Sequence, residues 1–367
     1  GIKKIRKDNL GRSIELISLV KKPIPGENIH LSIDKRIQFI GYNILKKYTQ
    51  RFNAESASLV LVKVKTGEIL AMANYPSFNP SNRREMTGSK IKNGVASILF
   101  EPGSTIKPFT AYNALYNQTY SEEDVIKTSP GKMSIGKHEI KDYKDLGNLS
   151  LKDIIRLSSN VGAAKVSLQN DKKSIYNTLQ DFDFGKNLYV DLHGEEEGRL
   201  IHYSQWDETI HATIGYGYGL STTLLHLANA YTILANYGKK IQLTYEKINK
   251  EDIYLENVLD EKISKKIVKM MQTVVEDGTA KKARLEKYTV AGKTGTVRII
   301  KDGEYKKNKH LAIFVGITPA TNPEYVAAVI VRNPKKGSAS GGSNAAPIFR
   351  DFMSHSMNML EVYPDRK

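Results

Sequence analysis

The apolar, strand-like segments of this chain lie near its two ends, and a long block of helical periodicity separates them. Two predicted strands joined by a turn at Thr66-Gly67 occupy about residues 53–75, and three more occupy 286–335. Strands so far apart in sequence share a sheet only if the chain between them is inserted as a block. We therefore predict an α+β fold with a five-stranded antiparallel sheet, flanking helices and a helical insert over about residues 97–285.

Local sequence signals predict the boundaries of the main domain, two helices and a turn. Residues 1–30 are polar and basic with two prolines, which predicts a linker or the remnant of a preceding domain, and leaves 31–367 as the main domain. Apolar spacing predicts helices over 34–48 and 221–238, the second closed by a glycine. Lys301-Asp302-Gly303 predicts a hairpin turn between two of the late strands.

Composition excludes several classes of protein. The chain has no cysteine, so thiolate chemistry and disulfides are excluded, and its eight histidines show no zinc-hydrolase spacing, which gives no support for a metal. The net charge of +16 attracts acidic partners, but the lysines are scattered, so nucleic-acid binding is a distant alternative to a solvated surface. No run approaches the ~20 apolar residues of a membrane span. Because residue 1 is Gly, an anchor could precede this chain.

A Ser-x-x-Lys pattern can pair a nucleophile with a base. The pattern alone does not locate a site here, so the surrounding residues must distinguish one match from another. It occurs six times, beginning at Ser18, Ser32, Ser89, Ser104, Ser129 and Ser134. Ser104 alone follows a Pro102-Gly103 break and precedes an apolar helical run, so that Ser104 and Lys107 share the first turn of a buried helix. The dipole at such a helix start favours negative charge nearby.

A second element is Ser158-Ser159-Asn160, which interrupts two predicted helices. A tight turn there could present a hydroxyl and an amide to one point, although a local cap explains most such pairs. The other Ser-x-Asn, at Ser77 and Asn79, is enclosed by prolines and fits a loop.

The third element is Lys293-Thr294-Gly295-Thr296, which lies inside an apolar strand. A glycine within a strand indicates a bulge or the close approach of a substrate or another backbone. Alternation places Lys293 and Gly295 on one face and Thr294 and Thr296 on the other. All four could serve one site only if this strand is twisted, bulged or at an edge.

In this order, the three elements resemble those of the transpeptidase domain of class B penicillin-binding proteins of the septal, FtsI type. EPGSTIKPFT, SSNVG and VAGKTGT carry the resemblance, and supporting segments such as GKHEIKD, EDGTAKKARL and GGSNAAPIFRDFM extend it over nearly all of the chain from about residue 30. The resemblance implies the penicillin-binding-protein/β-lactamase-like fold and a peptidoglycan D,D-transpeptidase that is acylated by β-lactams. It implies no cofactor.

The resemblance also implies residue roles. Ser104 would be the acylated nucleophile and Lys107 the group that takes its proton. Ser158 would relay a proton to the leaving amine, and Asn160 would hold Lys107 and the substrate amide. Lys293 would keep the site positive, which independently favours a lowered pKa of Lys107.

The late strand would bind the substrate. The backbone N–H groups of Ser104 and Thr296 would form the oxyanion hole, and Thr294, Gly295 and Thr296 would contact the substrate, with the two threonine hydroxyls on its terminal carboxylate. The implied partners are D-Ala-D-Ala stem peptides, β-lactams, a divisome glycosyltransferase and other division proteins. The implied location is the extracytoplasmic side of the bacterial inner membrane at the septum, through an N-terminal anchor outside this chain.

Two other functions stay open from the sequence. A β-lactamase or D,D-carboxypeptidase would need efficient attack by water, and the Glu195–Glu197 run is a candidate carboxylate for it, although an acidic run is usually solvated. A non-catalytic β-lactam sensor is disfavoured because every motif residue is present.

Overall fold

The computed structural model describes residues 1–301 and 304–366, with side chains except those of Ser89 and residues 300–308. The predicted turn residues Asp302 and Gly303 lie outside the described residues. The chain forms two compact units, Gly1–Leu31 and Ser32–Lys367. The first contains an antiparallel pair of strands that the sequence did not predict, because nearly all of their residues are exposed and no buried face gives them an apolar pattern.

The strands are β1 Ile2–Lys7, β2 Ser13–Lys21, β3 Ser56–Lys63, β4 Ile69–Tyr75, β5 Val125–Lys127, β6 Lys132–Ile135, β7 His138–Lys141, β8 Asn148–Ser150, β9 Arg199–Leu200, β10 Leu220–Ser221, β11 Lys239–Lys240, β12 Glu256–Asn257, β13 Ala291–Lys301, β14 Glu304–Thr318 and β15 Tyr325–Arg332. The α-helices are α1 Lys35–Phe52, α2 Lys107–Tyr116, α3 Leu151–Leu157, α4 Asn160–Gln169, α5 Lys172–Asp181, α6 Glu208–Ile214, α7 Leu224–Ala235, α8 Glu261–Glu276 and α9 Ala346–Met359.

The central sheet has the order β13-β14-β15-β3-β4, and every neighbouring pair in it is antiparallel. The pairing of β15 with β3 brings the early and the late strands into one sheet. This confirms the predicted α+β fold and the insertion between its strands. Every residue of β15 is buried, so helices cover both faces of the sheet. Helices α1 and α9 pack together on it, and α7 packs across β3, β14 and β15.

The inserted region is less purely helical than its periodicity predicts. Four short strands, β5 to β8, form two small antiparallel pairs before α3. These strands are three or four residues long, too short for their alternation to stand out in the sequence. They matter for function because β7 leads directly to a residue that contacts the site.

Candidate active site

Ser104 lies on a tight turn that the sheet and the helical insert hold between them. A 3-10 turn, Gly103–Ile106, precedes α2, so Ser104 stands just before the α-helix that the sequence predicts it to begin. Gly103 has a φ of +55°, and a Cβ there would come 2.3 Å from Cγ1 of Val297. Only glycine combines that conformation with such a close approach. The turn therefore brings Ser104 against β13.

Lys107 lies one turn further, fully buried beneath Ser104. Its Nζ is 3.0 Å from Ser104 Oγ and 2.8 Å from Asn160 Oδ1. It also lies 2.6 Å from the carbonyl oxygen and 3.2 Å from Oγ of Ser158. The Ser158 carbonyl and Asn160 Oδ1 are acceptors only, so each takes an N–H from Lys107. In the neutral amine this leaves the lone pair to accept the Ser104 hydroxyl proton.

The electrostatics favour that neutral amine. Burial lowers the pKa of Lys107 well below its ordinary value, and the nearby charge of Lys293 lowers it further. The Asp142 carboxylate acts in the opposite direction and raises it. A lysine so placed can act as a base near neutral pH.

Lys293 comes from the sheet side and is also completely buried. Its Nζ donates to Ser158 Oγ at 2.9 Å and to the carbonyl oxygen of Thr294 at 3.2 Å. Burial lowers the pKa of Lys293 to about 7. The Ser158 hydroxyl therefore lies between two lysine amines, in a position to pass a proton from one side to the other.

The Ser158–Asn160 turn has the predicted form. Helix α3 ends at Leu157, Ser158 adopts the left-handed region with φ 65° and ψ 39°, and α4 begins at Asn160. Ser159 caps α4 by accepting from the N–H of Gly162 at 2.9 Å. The left-handed residue turns the Ser158 side chain back toward Lys107 and Lys293.

Asp142, which immediately follows β7, holds this turn and was missed as a site residue. Its carboxylate accepts from Ser159 Oγ at 2.6 Å, from the backbone N–H of Val161 at 3.1 Å and from that of Asn160. Asn160 Nδ2 also donates to the Lys141 carbonyl at 3.0 Å. The segment GKHEIKD supports the resemblance, but nothing local indicates that its acid caps a helix beginning 18 residues later.

The strand wall of the site is β13, an edge strand of the sheet. Residues on both faces of this strand can serve one site only if the strand is twisted, bulged or at an edge, and its edge position meets that requirement. A Cβ on Gly295 would lie 2.9 Å from Thr105 Cγ2 and 3.1 Å from the Pro102 carbonyl. The glycine therefore allows the turn that carries Ser104 to approach the strand. Thr294 Oγ1 is 2.8 Å from Thr279 Oγ1, and Thr296 Oγ1 accepts from Gly341 N–H at 3.0 Å.

These walls enclose an open groove of about 740 Å³. Five of the predicted residues line it: Ser104, Ser158, Asn160, Thr294 and Thr296. Lining residues that the sequence did not single out include Tyr143, Thr279, Lys281, Lys282, Ser340 and Ser343. Lys107 and Lys293 lie beneath the groove and reach it through their contacts with Ser104 and Ser158.

The carboxylates near the groove do not favour attack by water. Glu195–Glu197 do not line it, and the acid that does, Asp277, makes no hydrogen bond to Ser104 or Lys107 in the described part of the chain. Within that part, no group of three His, Asp or Glu side chains is arranged to hold a metal ion. No helix within it has the length and apolar character needed to cross a membrane.

Fold and site together place a serine hydroxyl beside the amine of a buried lysine. The family model described as the penicillin binding protein transpeptidase domain matches residues 57–354. The chain belongs to this family, and its relatives place it with the FtsI-type members.

Two curated relatives are equally identical in sequence to this chain. The chain is 36% identical over 366 residues to a probable peptidoglycan D,D-transpeptidase, PbpC, of Pseudomonas aeruginosa, covering 100% of this chain and 65% of that protein. It is 36% identical over 363 residues to the peptidoglycan D,D-transpeptidase FtsI of Escherichia coli K12, covering 98% and 61%. The chain thus spans somewhat less than two thirds of these relatives.

A solved structure extends the comparison to the fold. The transpeptidase domain of Burkholderia pseudomallei penicillin-binding protein 3, in its apo form, has a TM-score of 0.85 and 32% sequence identity. The similarity covers 94% of this chain and 100% of that domain.

Proposed function

We propose that this chain is the catalytic domain of a peptidoglycan D,D-transpeptidase that forms an acyl-enzyme on Ser104 and is the covalent target of β-lactams. One observation carries the proposal: Lys107 Nζ lies 3.0 Å from Ser104 Oγ while two acceptor-only oxygens hold its N–H groups. A buried amine held in this way has its lone pair directed at the nucleophile.

In the first step, Ser104 Oγ attacks the carbonyl carbon of the penultimate D-alanine of a stem peptide, and Lys107 accepts the hydroxyl proton. The C–N bond to the terminal D-alanine then breaks. The leaving amine receives a proton through Ser158 Oγ, which contacts both lysine amines. Asn160 holds Lys107 and binds the substrate amide. In the second step, an amine of another stem peptide attacks the ester carbonyl, the C–O bond to Ser104 breaks, and the proton lost by the amine passes through Lys107 to Ser104 Oγ.

The strand wall binds and polarises the substrate. The backbone N–H groups of Ser104 and Thr296 donate to the oxyanion, because an edge strand leaves alternate N–H groups unpaired by a neighbour. The hydroxyls of Thr294 and Thr296 bind the terminal carboxylate beside Gly295. Lys293 supplies positive potential from below. The reaction needs no cofactor.

The cellular setting is proposed from the FtsI relatives. Residues 1–30 would belong to a preceding domain and residues 31–367 to the transpeptidase domain, on the extracytoplasmic side of the inner membrane at the division septum. An anchor outside this chain would hold it there, and a glycosyltransferase and other division proteins would be its partners.

A direct test uses a fluorescent penicillin with Ser104→Ala and, as a matched control, Ser129→Ala. Ser129 begins another Ser-x-x-Lys pattern, and its hydroxyl contacts Asp145 instead of a lysine. We expect covalent labelling of the wild type and of Ser129→Ala, and none of Ser104→Ala. Labelling that persists in Ser104→Ala would refute the assignment.

A second experiment separates transfer from hydrolysis. The acyl-enzyme formed from a D-alanyl-D-alanine donor peptide is offered an amine acceptor in water, and the products are separated by chromatography. We expect the cross-linked product to rise with acceptor concentration. Rapid turnover of β-lactams, or hydrolysis that the acceptor does not suppress, would favour the β-lactamase or carboxypeptidase alternative.

A further inference from the structure

A second cavity, of about 410 Å³, shares no lining residue with the catalytic groove. It lies at the end of the sheet where β4, β13 and β15 finish, beneath the segment that leads to Ser104. Its walls are largely apolar and include Tyr75, Leu99, Phe100, Ile299 and Leu311. An apolar cavity of this size with a few polar groups is typical of a small-molecule site.

Arg332, the last residue of β15, is a buried cation in this cavity and is only 8% exposed. Its Nη1 donates to Ser58 Oγ at 3.1 Å and its Nη2 to the Gly94 carbonyl at 2.9 Å. Both acceptors are uncharged. The Nε–H has no acceptor, and no carboxylate forms an ion pair with Arg332 among the side chains that the structure describes.

A guanidinium in this position is costly without a counter-charge. Buried charges in proteins are normally paired, because hydrogen bonds to neutral groups only partly replace water. Burial lowers the pKa of Arg332 to about 10, so the side chain remains charged at neutral pH. Glu55 is the acid that most influences it, but Glu55 is exposed and makes no ion pair with it.

A second buried polar atom in the same cavity also lacks a partner. Asn74 Oδ1 has no donor in the described part of the chain, and its assignment as the oxygen is fixed because Asn74 Nδ2 donates to Asn93 Oδ1 at 3.1 Å. Asn93 Oδ1 in turn accepts from the N–H of Val95 at 3.1 Å, so the two amides cannot exchange roles. Among the side chains that the structure describes, the cavity thus combines a cation without a counter-ion and an acceptor without a donor.

We propose that this cavity binds a small monocarboxylate with an apolar body and an adjacent N–H, the chemistry of an N-acylated apolar amino acid or a peptide C-terminus. The carboxylate pairs with Arg332, whose planar fork matches it. The N–H donates to Asn74 Oδ1 after a small rotation of that side chain. An acid with an apolar body is favoured over phosphate because the apolar part of the wall can contact that body.

Calorimetric titration with N-acetyl-L-phenylalanine tests the site, and N-acetyl-L-phenylalaninamide is the uncharged control ligand. We expect saturable one-to-one binding of the acid, with the amide and inorganic phosphate at least tenfold weaker. Arg332→Met lowers the affinity at least tenfold. Arg350→Met, which removes an arginine that pairs with Asp351 on α9, leaves it unchanged.

The site must also be separated from the Ser104 groove, which itself is proposed to bind carboxylates. Wild-type protein that is first acylated with penicillin binds the acid with the same affinity, and each variant is labelled by fluorescent penicillin at the wild-type rate. If acylation of Ser104 abolishes binding of the acid, the acid binds in the groove and the proposal for the second cavity is wrong. That result would not bear on the transpeptidase assignment.

Three further results would overturn it: equal affinity for acid and amide, unchanged affinity in Arg332→Met, or no saturable binding up to about 10 mM acid. If Arg332→Met does not fold, Leu99→Trp replaces it. Leu99 lines the cavity and is 41% exposed, so a tryptophan there is expected to reduce the space available to the ligand while Arg332 is retained. Unchanged affinity in that variant would equally exclude the site.

Discussion

The two buried lysines of the site come from different parts of the molecule and have different surroundings. Lys107 belongs to the helical insert, and its Nζ contacts four oxygens, one of them Ser104 Oγ. Lys293 belongs to the sheet and contacts Ser158 Oγ and the Thr294 carbonyl, but not Ser104. Both are buried to the same extent.

The difference shows that burial alone does not place a lysine amine beside the Ser104 hydroxyl. Desolvation lowers both pKa values, but the nearby charge of Lys293 lowers the pKa of Lys107 further. The charge is therefore better placed on Lys293 and the lone pair on Lys107. The acceptors around Lys107 then decide where that lone pair points.

The largest effect on the acylation rate is expected from removing the proposed base, Lys107. Lys107→Met should slow acylation by a fluorescent penicillin by roughly 10³-fold, because the Ser104 proton has no acceptor, while an apolar side chain of similar length keeps the buried position filled. Stopped-flow acylation rates measure it. Lys265→Met, on an exposed helix position paired with Glu261, should react at the wild-type rate. A rate within tenfold of wild type in Lys107→Met would contradict the division of roles.

The second prediction uses the charge of Lys293. Since its pKa is lowered to about 7, Lys293 is charged below that pH and neutral above it, so the wild-type acylation rate should fall about tenfold per pH unit above about 7. Lys293→Arg stays protonated and should lose this descending limb, at a reduced maximal rate. An unchanged limb in the arginine variant would assign it to another group.

A third prediction concerns Asp142, the acid whose charge opposes the lowering of the Lys107 pKa. Asp142 raises the pKa of Lys107, so Asp142→Asn should lower that pKa and move the ascending limb of the acylation profile to lower pH. The maximal rate should also fall by about tenfold, because Ser159 and Asn160 are held less firmly. Asp145→Asn, which alters a carboxylate bonded to Gly147 and Ser129, is the control. A lower rate without a shifted limb would indicate a positioning role alone.

The smallest expected effect is a change in melting temperature, and it tests backbone strain at Ser158, the residue that both lysines contact. Ser158→Gly and Ser158→Ala both remove Oγ and should slow acyl transfer equally. Only glycine relieves the left-handed conformation, so it should melt about 2–4 °C above the alanine variant. Gln118, at φ 56° outside the site, should show the same Gly–Ala difference with full activity. Equal melting temperatures of the two Ser158 variants would exclude strain there.

The sequence predicted the sheet and its insertion, and it favoured Ser104 over the other Ser-x-x-Lys serines, because these inferences depend on local patterns. Ser104 and Lys107 are three residues apart, and a chain break followed by an apolar helix identifies them without any partner. The turn at Ser158 was predictable for the same reason. The strands of residues 1–31 and β5 to β8 were missed because they are exposed or very short.

By itself, then, the sequence determined which chemical groups are available and in what order along the chain they occur. Only the tertiary structure decided that β13 is an edge strand, that Asp142 caps α4 and that the buried Arg332 pairs with no carboxylate among the described side chains. Each of these depends on contacts between residues far apart in sequence, and local periodicity carries no information about such contacts. The pKa values of both lysines belong to this second group, since desolvation arises only when the helical insert closes against the sheet.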